Sequence, residues 1–121
     1  MPPTHEVENV IPVFPVRDLD RSVAFYTAVL DFHLAWRAET VCAVARDGHS
    51  LMLSTADGIA APAMAWIGVE TEQLFARCLD ADVPVVQPPR NQEFAYTMRV
   101  ADPDGNILWQ SVIESSLTMV V

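Results

Sequence analysis

Lysine is absent from the sequence, and all seven basic residues are arginines. Against 16 acidic residues they leave a formal net charge of −9 at pH 7 and a pI near 4.5. Nucleic acids and anionic membranes are bound through a positive protein surface, so this balance argues against both as partners. The charge fits a cationic partner, and it equally fits a protein kept soluble by its acids.

Signals for membrane insertion, export and zinc binding are also missing. No stretch approaches the roughly 20 apolar residues of a membrane-spanning helix. The start, MPPTHEVEN, has no charged segment followed by an apolar one, so we predict a cytoplasmic protein. The two cysteines, Cys42 and Cys78, lie in apolar runs without C-x-x-C spacing, which predicts free buried thiols.

Catalytic motifs are equally scarce. Only four glycines occur, and they form neither a phosphate-binding loop nor a G-x-S-x-G turn around a nucleophilic serine. Asp18 and Asp20 fit helix caps, while Asp102 and Asp104 fit a turn, so no acid–base pair stands out. We therefore expect no catalytic residue, no cofactor and no enzyme activity.

What is present is enough for one domain, residues 1–121, because 51% of the chain is hydrophobic. Alternating and apolar runs predict short strands at 8–14, 33–37, 41–46, 50–54, 64–69, 84–86, 94–100 and 106–113. The segment QPPRNQE, residues 87–93, is predicted to be a loop.

Two segments have helical periodicity. In RDLDRSVAFYTAVLDF, Asp18 or Asp20 can cap a helix. In TEQLFARCLDA, Thr71 can cap a helix whose predicted buried side carries Leu74, Cys78 and Leu79.

The second half of the chain repeats the order of the first. Asp47-Gly48 before one strand matches Asp104-Gly105 before another at an offset of 57 residues, and the opening strands pair Ile11 with Met64. This pattern predicts two βαβββ modules, at about 8–55 and 63–114, joined by a loop at 56–62 and followed by a C-terminal tail at 115–121.

The strings VRDLDRSVAFYTAVLDF and ADPDGNILWQS resemble the two signature segments of the glyoxalase/bleomycin resistance/dioxygenase superfamily, also called vicinal oxygen chelate proteins. The resemblance runs from about residue 8 to residue 114. It implies an α+β fold in which two βαβββ modules form curved mixed sheets, and a homodimer with clefts at the interface. It also makes exchange of the first strand between subunits plausible, with Pro12 as the hinge. The scaffold carries many unrelated activities, so the fold alone does not give the function.

The metal-dependent members take one His, Gln or Glu ligand from each of four strands. The resemblance places Ile11, Met52, Met64 and Trp109 at these positions. None of the four suits a hard divalent ion, so we interpret them as vacated metal positions, with Trp109 filling the space of the ion. A site built instead from His5, His33 and His49 is the weaker alternative.

Among members without a metal, the chain resembles the bleomycin-binding resistance proteins most, through V-R-D after the first strand, MAWIGV, and FAYTMRVADPDGN. This implies a ligand-binding cleft with Trp36, Ser54, Trp66 and Phe94. The implied function is stoichiometric sequestration of a planar, cationic antibiotic of the bleomycin type. Strand alternation puts Trp66 on the same face as Met64, although a strand tryptophan is also a common core residue.

Two alternatives stay open. Glu93-Phe94-Ala95 stands where these proteins often carry P-W-G, and Val41 replaces another cleft aromatic, so the ligand is either related to bleomycin or a different small aromatic metabolite. The less favoured alternative is a metal-dependent lyase or dioxygenase with unusual ligands.

Overall fold

The computed structural model describes residues 6–56 and 61–112. The predicted tail at 115–121 and most of the predicted loop at 56–62 lie outside these residues. The elements, in chain order, are β1 (Val13–Pro15), α1 (Leu19–Ala28), β2 (His33–Arg37), β3 (Val41–Arg46), β4 (His49–Ser54), β5 (Met64–Val69), α2 (Gln73–Asp80), β6 (Val85–Asn91), β7 (Tyr96–Ala101) and β8 (Ile107–Val112).

The strands form two four-stranded sheets with the same topology, which confirms the predicted pair of βαβββ modules. The first sheet has the order β1-β4-β3-β2 and the second has the order β5-β8-β7-β6. In each sheet the opening strand runs parallel to the last strand of its module, and the other pairs are antiparallel. Each sheet is therefore mixed, as expected for the vicinal oxygen chelate fold.

Local sequence explains the elements that were predicted correctly. Asp18 caps α1, since its side chain accepts a hydrogen bond from the Arg21 N–H. Asp47 and Gly48 both have positive φ, 53° and 81°, which is the conformation that a two-residue hairpin between β3 and β4 requires. The prediction that Thr71 caps α2 was wrong by one residue: the N-cap is Glu72, which makes no side-chain cap bond, while the Thr71 hydroxyl accepts from the N–H of Gln73 just after it.

Three further predictions at the edges of elements were wrong. β1 begins at Val13 and not at Glu8. Pro12, just before it, has no N–H to donate, although its carbonyl accepts from the Met52 N–H. The predicted loop QPPRNQE is mostly part of β6, an edge strand whose register shifts accommodate its prolines. Phe94 lies in the bend before β7 and not within the strand.

One predicted core residue is also wrong. Leu79 is 47% exposed, while Phe75 is buried in its place beside Leu74 and Cys78. Phe75 faces the second sheet, where its ring stacks on Tyr96 at a centroid distance of 5.7 Å. Helical periodicity correctly predicted the burial of Leu74 and Cys78, but it wrongly included the next residue, Leu79, in the buried face of the helix.

The core is one cluster shared by both modules. It lies on the helix-facing sides of the two sheets and includes Phe14, Tyr26, Leu53, Met98 and Leu108, all fully buried. Both cysteines are free and buried, as predicted. No helix among the described residues is long and apolar enough to span a bilayer.

A buried polar network joins the two modules, and we call it the DPDGN joint after residues 102–106. The Asn106 amide accepts from the Ala63 N–H at 2.8 Å and donates to the Pro15 carbonyl at 2.9 Å. The Asp102 carboxylate accepts from the Tyr26 hydroxyl at 2.9 Å and from the Asn106 side chain at 3.0 Å. Burial, followed by the charge of Asp102, raises the pKa of Tyr26 well above its usual value.

The same turn reaches the start of α1. Asp104 accepts from the Arg17 N–H and from the Arg21 guanidinium, each at 3.1 Å. A carboxylate at a helix N-terminus is favourably placed against the helix dipole. The two segments that carry the family resemblance are therefore in direct contact in the folded chain.

Candidate functional site

The candidate site lies on the face of the second sheet that points away from α2, which we call the open face. Along β5, Met64, Trp66 and Gly68 are exposed, while the three residues between them are partly buried against the core. This alternation confirms the prediction that Trp66 shares a face with Met64. Cross-strand register adds Trp109 opposite Trp66, and Arg99 opposite Trp109.

Three rings meet on the open face, and we call them the aromatic cluster: Trp66, Phe94 and Trp109. Trp66 packs edge-on against Trp109 with centroids 4.9 Å apart. Phe94 lies 6.0 Å from Trp66 and 6.3 Å from Trp109. Trp66 and Phe94 stay 46% and 50% exposed, so about half of each side chain is available to another molecule.

The spacing of the rings decides how a flat ligand can bind. A ring inserted between two others needs about 7 Å between their planes, since aromatic carbons touch at about 3.5 Å. The 6.0 Å between Trp66 and Phe94 is too short for insertion. A planar ligand would therefore stack on the outer, exposed surfaces of these rings.

Arg99 gives the open face a charged group. Its guanidinium carbon lies 4.1 Å from the centroid of the Trp109 ring, within the range of a cation–π contact. Sequence reasoning missed both Arg99 and the stacking role of Trp109. The sequence pattern could have indicated Arg99, because it lies between the apolar residues Met98 and Val100 on β7 and strand alternation then places it on the opposite face of the sheet from these core residues.

Two of the four predicted ligand-binding residues lie elsewhere. Trp36 is on the first sheet, in a cross-strand row with Ala43, Met52 and Val13. It is 47% exposed and belongs to none of the ring pairs formed within the described residues. Ser54 ends β4, and its hydroxyl accepts from the Ala56 N–H at 3.1 Å. One chain thus brings Trp66 and Phe94 together, without Trp36.

The vacated metal positions do not fit a divalent ion. Ile11 and Met52 belong to the first module, and Met64 and Trp109 belong to the second. Their side chains offer an alkyl group, two thioethers and an indole N–H, which is only a donor. Within residues 6–56 and 61–112, no three His, Cys, Asp or Glu side chains are grouped as a metal site. Of the histidines in the alternative site, His33 and His49 are exposed and His5 lies outside the described residues.

Sequence comparison identifies one family. The sequence model of the Glyoxalase/Bleomycin resistance protein/Dioxygenase superfamily matches residues 10–109. That range covers nearly all of both modules and includes the aromatic cluster and the DPDGN joint. A search of curated proteins finds no match.

Solved structures share the fold at low sequence identity. TioX from Micromonospora sp. ML1 is 18% identical with a TM-score of 0.79, over 89% of this chain and 100% of that one. A bleomycin-binding protein, solved in complex with bleomycin, is 22% identical with a TM-score of 0.76, over 89% and 100%. A lactoylglutathione lyase from Agrobacterium tumefaciens is 15% identical with a TM-score of 0.74, over 89% and 96%. A protein described as bleomycin-binding and one described as a lyase therefore share this architecture.

Proposed function

The chain belongs to the glyoxalase/bleomycin resistance/dioxygenase superfamily, and from that premise we propose that it is a binding protein that sequesters a planar antibiotic of the bleomycin type. It holds the drug stoichiometrically and does not transform it. In this proposal the protein acts in the cytoplasm, where a bound drug is kept from DNA.

The observation that carries the proposal is the aromatic cluster. Large rings left half-exposed on one face are unusual unless something covers them. Stacking contributes about 0.5–1.5 kcal/mol per ring beyond the burial of apolar area. Two such contacts with burial of a drug-sized molecule suffice for submicromolar affinity. The fold-sharing protein solved with bleomycin supports this choice of ligand class.

Two further features support the proposal. The net charge of −9 raises the encounter rate with a cationic drug at low salt. At the four positions where metal-dependent members carry ligands, this chain has side chains that do not bind hard ions. Without a metal electrophile or an acid–base pair, binding without turnover is the function that fits the site best.

The proposal includes a homodimer, which would complete the cleft. Within one chain Trp36 does not meet the aromatic cluster, and all five residues of the edge strand β2 are exposed. A second copy would cover this strand and bring its Trp36 and Ser54 to the cluster of the first. Exchange of β1 at Pro12 is one way for the two copies to interlock.

Titration of metal-free bleomycin and of its copper complex, followed by tryptophan emission, tests the proposal. We expect saturable quenching with one drug per chain, and recovery of the drug unchanged by mass spectrometry. Calorimetry on Trp66→Ala and Phe94→Ala should show affinity lowered about tenfold or more. The matched control is Val86→Ala, an exposed apolar residue on β6. Absence of quenching at micromolar drug, or chemical conversion of the drug, overturns the proposal.

The second candidate is a non-catalytic binder of another small aromatic metabolite. The bend at Glu93-Phe94-Ala95 favours it, because this segment departs from the family's P-W-G and places one of the three rings. A thermal-shift screen of planar metabolites separates the two candidates. A lyase or dioxygenase with unusual ligands would instead show a stoichiometric divalent metal in elemental analysis of protein purified without chelator.

A further inference from the structure

Three polar atoms on the open face are buried and have no hydrogen-bond partner among the described residues: Arg99 Nε, Trp109 Nε1 and Ser111 Oγ. We call these three residues the donor patch. Such atoms are rare in folded proteins, because an unpaired buried donor costs about 1–3 kcal/mol. One further buried polar atom among the described residues has no partner, Gln110 Oε1. It lies on the helix-facing side of the sheet, where the same side chain donates to the Cys78 sulfur.

The strand register places the three residues at neighbouring positions on one face of the second sheet. Arg99 lies opposite Trp109, and Ser111 lies two residues beyond Trp109 on the same face of β8. Ser111 is fully buried, and its position on β8 directs its side chain to the side of the sheet that carries the aromatic cluster.

A glycine keeps space open beside the donor patch. Gly68 lies opposite Ser111 on β5. A Cβ at Gly68 would lie 3.7 Å from the Trp66 Nε1 and 3.9 Å from the Ser111 Oγ. Any side chain here would occupy the space between this indole N–H and the hydroxyl, so glycine leaves room for an atom of a ligand.

Hydrogen-bond donors dominate the patch. Guanidinium and indole nitrogens only donate hydrogen bonds, and the Ser111 hydroxyl can donate one as well as accept. The described residues form three ion pairs, which involve Arg21, Arg37 and Arg46. Arg99 is in none of them, although the chain has 16 acidic residues. The Trp109 ring contacts the face of the Arg99 guanidinium. This contact leaves the N–H groups, which lie in the guanidinium plane, available to donate hydrogen bonds.

We infer that the donor patch binds an acceptor oxygen, a carboxylate or an amide carbonyl, attached to the planar ring that stacks on the aromatic cluster. This inference rests on the proposed function and specifies the ligand further, as an aromatic molecule with an acceptor group at one edge. An overall cationic ligand remains compatible, provided that it presents such an oxygen to Arg99. Hydrogen bonds to charged groups are the stronger ones, so a carboxylate binds more tightly than an amide.

A series of naphthalene probes tests the inference by calorimetry or ligand-observed NMR. We expect 2-naphthoate to bind at least about tenfold more tightly than 2-methylnaphthalene, with 2-naphthamide between them. A cationic 2-naphthylmethylammonium probe should bind more weakly than the naphthoate. Equal affinities across the series, or preference for the cation, overturn the inference.

Variants assign the effect to the patch. Arg99→Met should remove the advantage of the naphthoate, and Ser111→Ala should reduce it, while 2-methylnaphthalene binding stays within twofold in both. Arg17→Met is the matched control, since it removes the same charge from an exposed position before α1 and should leave the series unchanged. If Arg99→Met does not fold by circular dichroism, Ser111→Ala alone decides, and an unchanged naphthoate advantage in it contradicts the inference.

The outcomes separate this inference from the proposed function. If bleomycin does not bind but naphthoate binds through Arg99, the donor patch is confirmed and the antibiotic proposal fails. If bleomycin binds with the same affinity to the natural protein and to Arg99→Met, and the probes show no preference, the donor patch fails while the proposed function stands.

Discussion

The substitution Asn106→Ala tests whether the DPDGN joint holds the two modules together. The Asn106 side chain makes three hydrogen bonds, which connect Ala63 of the second module, Pro15 of the first, and Asp102. Alanine removes all three and leaves the Ala63 N–H and the Pro15 carbonyl without partners. Each buried group left unpaired costs about 1–3 kcal/mol.

The magnitude follows from the burial of the groups left behind. Ala63 and Pro15 are partly buried, so water replaces some of what is lost and the cost per group lies toward the lower end. The buried Asp102 carboxylate also loses one donor, so with three groups affected we expect the free energy of unfolding to fall by about 3 kcal/mol. For a domain of this size the midpoint of thermal unfolding then drops by about 10–15 °C.

Urea denaturation followed by far-ultraviolet circular dichroism measures this change. The control is Asn91→Ala, an exposed asparagine at the end of β6, which should change stability by less than about 0.5 kcal/mol. The dependence on urea should keep its slope, since the surface exposed on unfolding is the same. Equal midpoints for the two variants would refute the reasoning.

Three further predictions concern buried groups. Burial first, and then the neighbouring carboxylates, make Tyr26 ionise less readily in the folded state, so the free energy of unfolding should fall as the pH rises above about 10. Urea denaturation at pH 8 to 11 should show a shallower decline for Tyr26→Phe than for the natural protein. Parallel declines of the two proteins would contradict this. Leu74→Ala should cost about 2–5 kcal/mol in urea denaturation and Leu79→Ala less than 1, because only the first side chain is buried; similar losses would contradict the observed helix orientation. Burial also raises the pKa of the Cys42 and Cys78 thiols. Both thiols should therefore react with a disulfide reagent at pH 8 much more slowly in the native protein than in urea. A fast reaction of the native protein would disprove their burial.

The fold was largely predictable because turn chemistry and repetition agree in this sequence. Asp47-Gly48 specifies a hairpin by itself, and its match at Asp104-Gly105 marks where the last strand of the second module begins. Proline was the main source of error. Pro12 comes just before β1, whereas Pro88 and Pro89 lie within β6, although both strands are at the edge of a sheet. Which residues of an edge strand pair with its neighbour depends on contacts that single-sequence patterns do not contain.

The site was predictable only in part. Alternation correctly placed Trp66 on an open face, and family resemblance pointed to Phe94. The contact between these rings depends on a bend outside any strand, and the contribution of Trp109 depends on the pairing of β5 with β8. The donor patch was missed because an unsatisfied buried atom becomes visible only after every neighbouring side chain has been placed.

The two sheets have the same topology and different side chains in equivalent rows. Val13, Met52 and Ala43 stand in the first sheet where Trp66, Trp109 and Arg99 stand in the second. In a duplicated scaffold of this kind each copy can change its exposed row independently, since the core lies on the other side of both sheets. Changes in ligand preference among descendants of this chain should therefore accumulate in these rows, on β5, β7 and β8 and at Trp36 and Ser54, with little penalty for folding.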